Sequence, residues 1–399
     1  MLSIRDPIHG FIRADALESK LLESRPMQRL RFIRQLGWTF LIFPGAEHSR
    51  FSHVLGTMHL AGRIYDALAS KSQGLLPTAP DCLERRLVRV AALVHDIGHA
   101  PFSHSAEDLF EGDIDHEDMS QRLLHTPEMA SIFEQYGAGV EADAVCRVLA
   151  KEGSEVERLL SEIVTSELDI DKMDYLLRDS LYCGVQYGSF DLERLIDTVV
   201  PLEDPEAGGW RIGVDHGGVH ALEALVMARY YMFTQVYFNV TGKVMELHYN
   251  EWLRVQNQRW PADPEAFLEH DDVSVYHGMR RSDDRHARAL VHRERFSLVF
   301  ETPEHLGAEE GQRFEALLPE VEGRFGAENL LVDHSAKDPH RLGQKRVLVK
   351  RFDGSLQPMA EASDFISHMS RINVYRLYAD RELAADVKAM VADLWATRP

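Results

Sequence analysis

The sequence is poor in cysteine. Its 399 residues include three, Cys82, Cys146 and Cys183, odd in number, far apart and without a CxxC pair. That leaves no disulfide framework and no thiolate zinc site. It suits a reducing cytoplasm, where the three read best as small buried hydrophobes. Long apolar runs are lacking too. The longest, Val219 to Val240, is broken by Glu223 and Arg229; it is too polar for a membrane span and reads as a buried helix. No signal-peptide core follows the opening MLSIRDPIHGF, and no internal repeat or low-complexity segment is found. Positive charge is outnumbered, with 44 Lys and Arg against 64 Asp and Glu and a net charge of −20. Such a surface repels phosphate backbones and anionic lipid heads, so nucleic acid and membranes are not expected partners. A small anion in a local basic pocket stays open.

What is present is ordinary globular composition, 45% hydrophobic and 27% charged. The length allows two or three units. Residues 16–37 have helical spacing, with Pro26 placed as a first-turn proline and Gly37 as a stop. Further helices are predicted over 53–70, 81–95, 116–124, 128–136, 140–151, 155–166 and 170–182. Apolar runs flanking EDPEAGG within 194–215 predict a β-hairpin, and one long helix is expected from Gly218 to Val255. Beyond Trp260 the alternating runs SLVFE, LLVDH, RVLVKRF and NVYRLY surround helical segments at 303–323 and 381–395. The expected class is therefore mainly α: a helical core over 1–259, then a small α+β region over 260–399 of unassigned role.

The chemistry concentrates around His95-Asp96-Ile97-Gly98-His99. An adjacent His–Asp pair turns an imidazole nitrogen and a carboxylate oxygen toward one point at a helix end. Alone it is a weak signal. It gains weight from SRFSH at 49–53 and DIDKMDY at 169–175. Two nitrogens and two carboxylates suit one divalent ion among Mn, Fe, Ni, Co, Zn and Mg. Four protein ligands on an octahedral ion leave two positions for a water and a phosphoryl oxygen. Taken singly, each of these residues reads better as a polar group bonded inside a helical core; together the ligand reading prevails.

The ordered strings DPIHG, QRLRFIRQLG, FPGAEHSRFSHVLG, HDIGHAPFSH and DIDKMDYLLRD resemble the HD-domain phosphohydrolases. Within them the likeness is to the deoxynucleoside triphosphate (dNTP) triphosphohydrolases, over about residues 1–255. That resemblance implies that His53, His95, Asp96 and Asp171 hold the metal. It implies a proton-handling set of His104, Glu107 and His116, with Glu107 standing where the family has aspartate. It implies phosphate contacts at Arg50, His99, Lys172 and Arg229, and sugar contacts at Gln35, Leu36, Tyr175, Asp179 and Tyr237. Phe233 replaces a family histidine one turn before Tyr237. Glu23, Gln28 and Arg31 match a site for an activating nucleotide. The implied partners are a nucleotide substrate, with additional Mg on the nucleotide, and a second copy in a dimer or tetramer.

The resemblance implies hydrolysis of dNTPs to deoxynucleoside and tripolyphosphate. Two other readings stand beside it: an HD phosphohydrolase that removes phosphates stepwise from nucleotides or their analogues, and a non-catalytic nucleotide-sensing scaffold. A complete ligand set argues against the scaffold.

Overall fold

The computed structural model describes residues 2–103, 106, 109–204, 206, 208–338 and 347–397. The chain starts with an antiparallel hairpin, Leu2–Asp6 against Gly10–Ala14. Asp6 Oδ1 accepts the backbone N–H groups of Ile8 and His9, both at 2.9 Å, and so shapes the turn.

The expected helix over 16–37 is broken. Ala16–Glu23 and Arg25–Arg29 are separate helices, followed by single 3-10 turns at Leu30–Phe32 and Gly37–Leu41. Ser24 is extended at the break, and Pro26 enters the second helix in its first turn, where its missing N–H costs nothing.

The Arg50–Lys71 helix lies at the centre of the molecule, with Phe51, Val54, Leu55, Met58, Leu60, Ile64 and Leu68 all in the core. It packs on Leu83–Val94 and on Ile170–Cys183. The last of these is started by Asp169, whose side chain accepts the N–H of Lys172, and stopped by Gly184 at φ 70°. Gly56 explains how closely these helices approach. A Cβ there would stand 1.8 Å from Asp174 Oδ1.

The expected long helix over 218–255 is also interrupted. Val219–Met232 gives way to a π-turn at Phe233–Tyr237, and Val240–Val255 restarts under an Asn239 cap. The principal core continues past residue 260 through Trp260, Phe267, Val275, Met279 and Leu290.

The hairpin predicted within 194–215 is Val199–Glu203 against Trp210–Asp215, preceded by a helix at Leu192–Thr198. Its second strand pairs in parallel with Leu348–Lys350, so the RVLVKRF run extends this sheet instead of joining the other tail strands. Those strands form a separate antiparallel sheet in the order Ser297–Glu301, Ile372–Ala379, Leu330–Lys337. The helices Ala308–Phe325 and Ala384–Thr397 close a second core over it, with Phe314, Leu317, Val321, Val387 and Val391 buried. No described helix is long and apolar enough to cross a membrane.

Candidate metal centre and active site

Three elements converge on one point. His53 comes from the first turn of the central helix, His95 from the end of Leu83–Val94, and Asp171 from the first turn of Ile170–Cys183. One ligand atom from each lies within 4.8 Å of the other two. His53 Nε2 is 3.0 Å and His95 Nε2 3.8 Å from Asp171 Oδ1. Both Nε2 atoms are buried without a well-aligned hydrogen-bond partner, which is costly for a polar atom unless something else satisfies it.

The other nitrogen of each ring is committed. His53 Nδ1 donates to Asp174 Oδ2 at 2.8 Å, and His95 Nδ1 to the Ala92 carbonyl at 2.8 Å. In both rings Nε2 is therefore the nitrogen left to face the centre, as a metal ligand requires. Asp96 stands beside them, with Oδ1 3.2 Å from His95 Nε2 and Oδ2 3.8 Å from His53 Nε2. Its Oδ2 also takes an Arg50 guanidinium hydrogen bond.

The electrostatics favour a cation at this point. Burial works against charge on His53, but hydrogen bonds with Asp171 and Asp174 outweigh it and push the ring up to about 10. Burial opposes the Asp171 carboxylate too, yet His53 and His95 hold it far below its usual range. A divalent ion meets the same demand without protons. The donor set of two imidazole nitrogens plus carboxylate fits a borderline divalent metal.

A support that the sequence reading missed lies behind His53. Asp174 also receives His9 Nε2 at 2.7 Å and a two-pronged Arg178 contact at 2.8 and 2.9 Å. Arg178 reaches back to Asp6 Oδ2 at 2.8 Å. Asp174 and Arg178 are fully buried, and the four residues bind the DPIHG turn to the centre. The signal was in the sequence: Asp174 sits three residues after Asp171, on the same helix face.

His99 follows one turn after Asp96, with its Nε2 3.2 Å from Asp96 Oδ1. Burial, Arg50 and His116 keep its ring neutral, well below the ordinary histidine range. It stacks on His116 at 4.1 Å. Gly98 makes this approach possible, because a Cβ there would lie 2.1 Å from the His116 carbonyl. His104 and Glu107 lie outside the described residues.

Each cation expected at phosphate has an acidic neighbour. Arg50 is on Asp96, Lys172 Nζ is 2.6 Å from Asp169 Oδ2, and Arg229 Nη1 is 3.6 Å from Glu167 Oε2. The expected sugar residues form one chain. Gln35 donates its backbone N–H to the His48 carbonyl at 3.0 Å. His48 Nε2 and the Tyr237 hydroxyl meet the two oxygens of Asp179 at 2.8 and 2.7 Å. Tyr175 packs edge-on against Tyr237 at 6.2 Å, and Leu36 is half-buried beside Gln35. His48 was not singled out by sequence. Of the regulatory candidates, Arg31 donates to Gln28 at 2.9 Å, while Glu23 pairs with Lys20 at the surface.

A helical core that brings histidines and aspartates from three helices to one point, where they could hold a metal ion, is the arrangement of an HD-type hydrolase. Residues 50–179 match the HD domain and residues 190–395 the HD-associated region, so the chain belongs to the HD-domain phosphohydrolase family. It is 35% identical to human deoxynucleoside triphosphate triphosphohydrolase SAMHD1 over 226 residues, 49% of this chain and 35% of that protein. A protein from Aquifex aeolicus superposes with TM-score 0.84 at 30% identity, covering 98% of this chain and 99% of the other. A phosphohydrolase from Bacteroides thetaiotaomicron superposes with TM-score 0.75 at 25% identity, covering 95% and 100%. The chain spans about half or less of the length of the curated relatives it matches.

Proposed function

We propose that this chain hydrolyses deoxynucleoside triphosphates to deoxynucleoside and tripolyphosphate. The observation that carries the reading is the pair of buried Nε2 atoms, of His53 and His95, gathered with an Asp171 oxygen at one point. With Asp96 they would hold one divalent ion. Such an ion supplies a polarised phosphoryl group and a more acidic water.

The chain's own residues do the rest. Asp174 and the Ala92 carbonyl fix the two imidazole tautomers. Arg50, Lys172 and Arg229 bring positive charge to the phosphates, with His99 held neutral beside Asp96. Protonation of the leaving oxygen falls to His104 or His116, with Glu107 as the carboxylate of that set. Tyr237 and Tyr175 pack against the deoxyribose, and Asp179 and Gln35 face its hydroxyl. An aromatic wall there leaves a 2′-hydroxyl neither room nor partner, which favours deoxy- over ribonucleotides. The likeness to SAMHD1, named for this reaction, supports the substrate. The resemblance of the QRLR segment further implies a nucleotide activator at Glu23, Gln28 and Arg31 and a dimer or tetramer.

The test is product analysis. The metal-loaded protein is incubated with each dNTP, NTP and dNMP, with and without GTP, and the products are resolved by ion-pair chromatography. Deoxynucleoside with intact tripolyphosphate is the expected result. Diphosphate and monophosphate intermediates would instead indicate stepwise hydrolysis.

A further inference from the structure

The segment after His95–Asp96 adopts a conformation that its side chains disfavour. Phe102 and Ser103 both lie in the left-handed region, at φ 59° and 60°. Something must hold them there. Stacking of Phe102 on Trp38 at 4.0 Å helps. The polar restraint comes from Asp272, 170 residues further along the chain and 1% exposed.

Asp272 Oδ1 accepts the Phe102 N–H at 2.7 Å, and Oδ2 accepts the Arg34 N–H at 2.9 Å. The two segments it grips also grip each other. The Ser103 hydroxyl donates to the Arg34 carbonyl at 2.6 Å and accepts from Arg50 Nε at 2.8 Å. Arg50 in turn reaches Asp96. One buried carboxylate thus fixes the point from which the Arg50 guanidinium is aimed. Neighbours act in the same sense. Arg29 bridges the carbonyls of His99 and His270 at 2.9 and 2.6 Å, and Tyr249 donates to the Pro101 carbonyl at 3.1 Å. Tyr249, His270 and Asp272 all lie within the HD-associated region.

We propose that Asp272 is a positioning residue of the active site, which through Arg34 and Ser103 sets the anion-binding face presented by Arg50. The inference rests on the proposed function only in taking Arg50 as a phosphate contact. The two backbone N–H groups that Asp272 holds belong to the two segments that meet at the Ser103 hydroxyl, on which Arg50 Nε rests.

The experiment is calorimetric titration of the manganese-loaded protein with inorganic tripolyphosphate, for the wild type, Asp272→Asn, Ser103→Ala and the double variant. Manganese affinity of each is measured in parallel. Each single variant is expected to bind tripolyphosphate about tenfold more weakly, the loss of one charge-assisted hydrogen bond, with manganese affinity within about twofold. The double variant should be no weaker than the weaker single, because both act on one path. Additive losses, or manganese affinity falling in step with tripolyphosphate affinity, would overturn the proposal. If Asp272→Asn does not fold, Ser103→Ala decides, and wild-type tripolyphosphate affinity in that variant overturns it. Wild-type protein that binds tripolyphosphate but hydrolyses no nucleotide contradicts the proposed function and leaves the positioning role standing; metal-loaded protein that does not bind tripolyphosphate overturns the positioning role.

Discussion

His53 donates from Nδ1 to Asp174 Oδ2 across 2.8 Å, and that bond decides which ring nitrogen faces the metal position. Asp174 stays ionised to accept it. Burial alone would raise its pKa, but Arg178, His53 and His9 hold it well below the usual carboxylate range. Asp174→Asn keeps the shape and removes the charge. Metal affinity is expected to fall about 10- to 100-fold, as for outer-layer partners generally. Stability should drop by about 1–3 kcal/mol, because Arg178 keeps only Asp6 as a buried counter-ion. Metal titration and urea denaturation of the same variant check both; unchanged metal affinity would remove Asp174 from the centre.

Gly56 is the second test of this packing. A methyl group there meets Asp174 Oδ1 at 1.8 Å and Arg178 Nη2 at 2.5 Å, and neither side chain is at a free end. Gly56→Ala is expected to destabilise by about 1–3 kcal/mol, the range for overpacking, and to lower metal affinity with it. Alanine ordinarily favours a helix over glycine by up to about 1 kcal/mol. A stabilised variant would therefore show that the helices can separate at no cost.

Tyr237 ties the π-turn to the Ile170–Cys183 helix by donating to Asp179, where the proposed function places the sugar. Burial and then Asp179 keep its hydroxyl protonated, with a pKa well above the ordinary phenol. Tyr237→Phe removes that donor and leaves the ring. The expected effect is on selectivity: the preference for dNTP over NTP narrows about tenfold while metal binding is unchanged. Competition between dGTP and GTP in one reaction measures it, and an unaltered ratio would separate Tyr237 from sugar recognition.

The pH dependence of stability should carry the mark of a buried histidine pair. His248 Nε2 accepts the Phe296 N–H at 3.1 Å, so its proton sits on Nδ1, 2.9 Å from His286 Nδ1. Both rings are neutral. Burial, His286, Arg285 and Arg295 depress His248 to about 3, and burial also lowers His286. The folded pKa values lie below the unfolded value near 6.5, so unfolding takes up protons as the medium becomes acidic. Stability from this pair is complete above pH 6.5 and is lost as pH falls below it. The slope approaches about 1.4 kcal/mol per pH unit for His248, and His286 adds in the same direction. Urea midpoints between pH 7 and pH 5 should fall less steeply in His248→Gln than in the wild type; parallel slopes would rule the pair out.

The parts of the fold visible in sequence were those set by local rules. The His116–Leu124 helix has its Asp115 capping box and matches its predicted span. Leu83–Val94 shows its core face at helical spacing. The parts that were hidden depend on distant contacts. A continuous helix across 218–255 satisfies local propensity, and Tyr237 reaching Asp179 from the π-turn is a contact made 58 residues away. Asn239 was the one local hint, since asparagine caps helices well. The candidate site divides the same way. His95, Asp96 and His99 stand close in one string, so their meeting was readable. His9 meets Asp174 across 165 residues, and nothing in the period of either segment announces it. Asp272 is hidden for the same reason, joining Phe102 to a helix whose own sequence carries no motif.

On the proposed function, a divalent ion between His53, His95 and Asp171 makes this chain a hydrolase. The most direct measurement titrates metal into chelator-stripped protein while following dATP turnover, for the wild type and for His95→Ala, whose side chain is 14% exposed at the edge of the centre. Turnover in the wild type should rise in proportion to bound metal and stop at one equivalent per chain, and His95→Ala should neither retain that equivalent nor turn over. Turnover that persists in stripped protein, or one retained equivalent with full activity in His95→Ala, would contradict it.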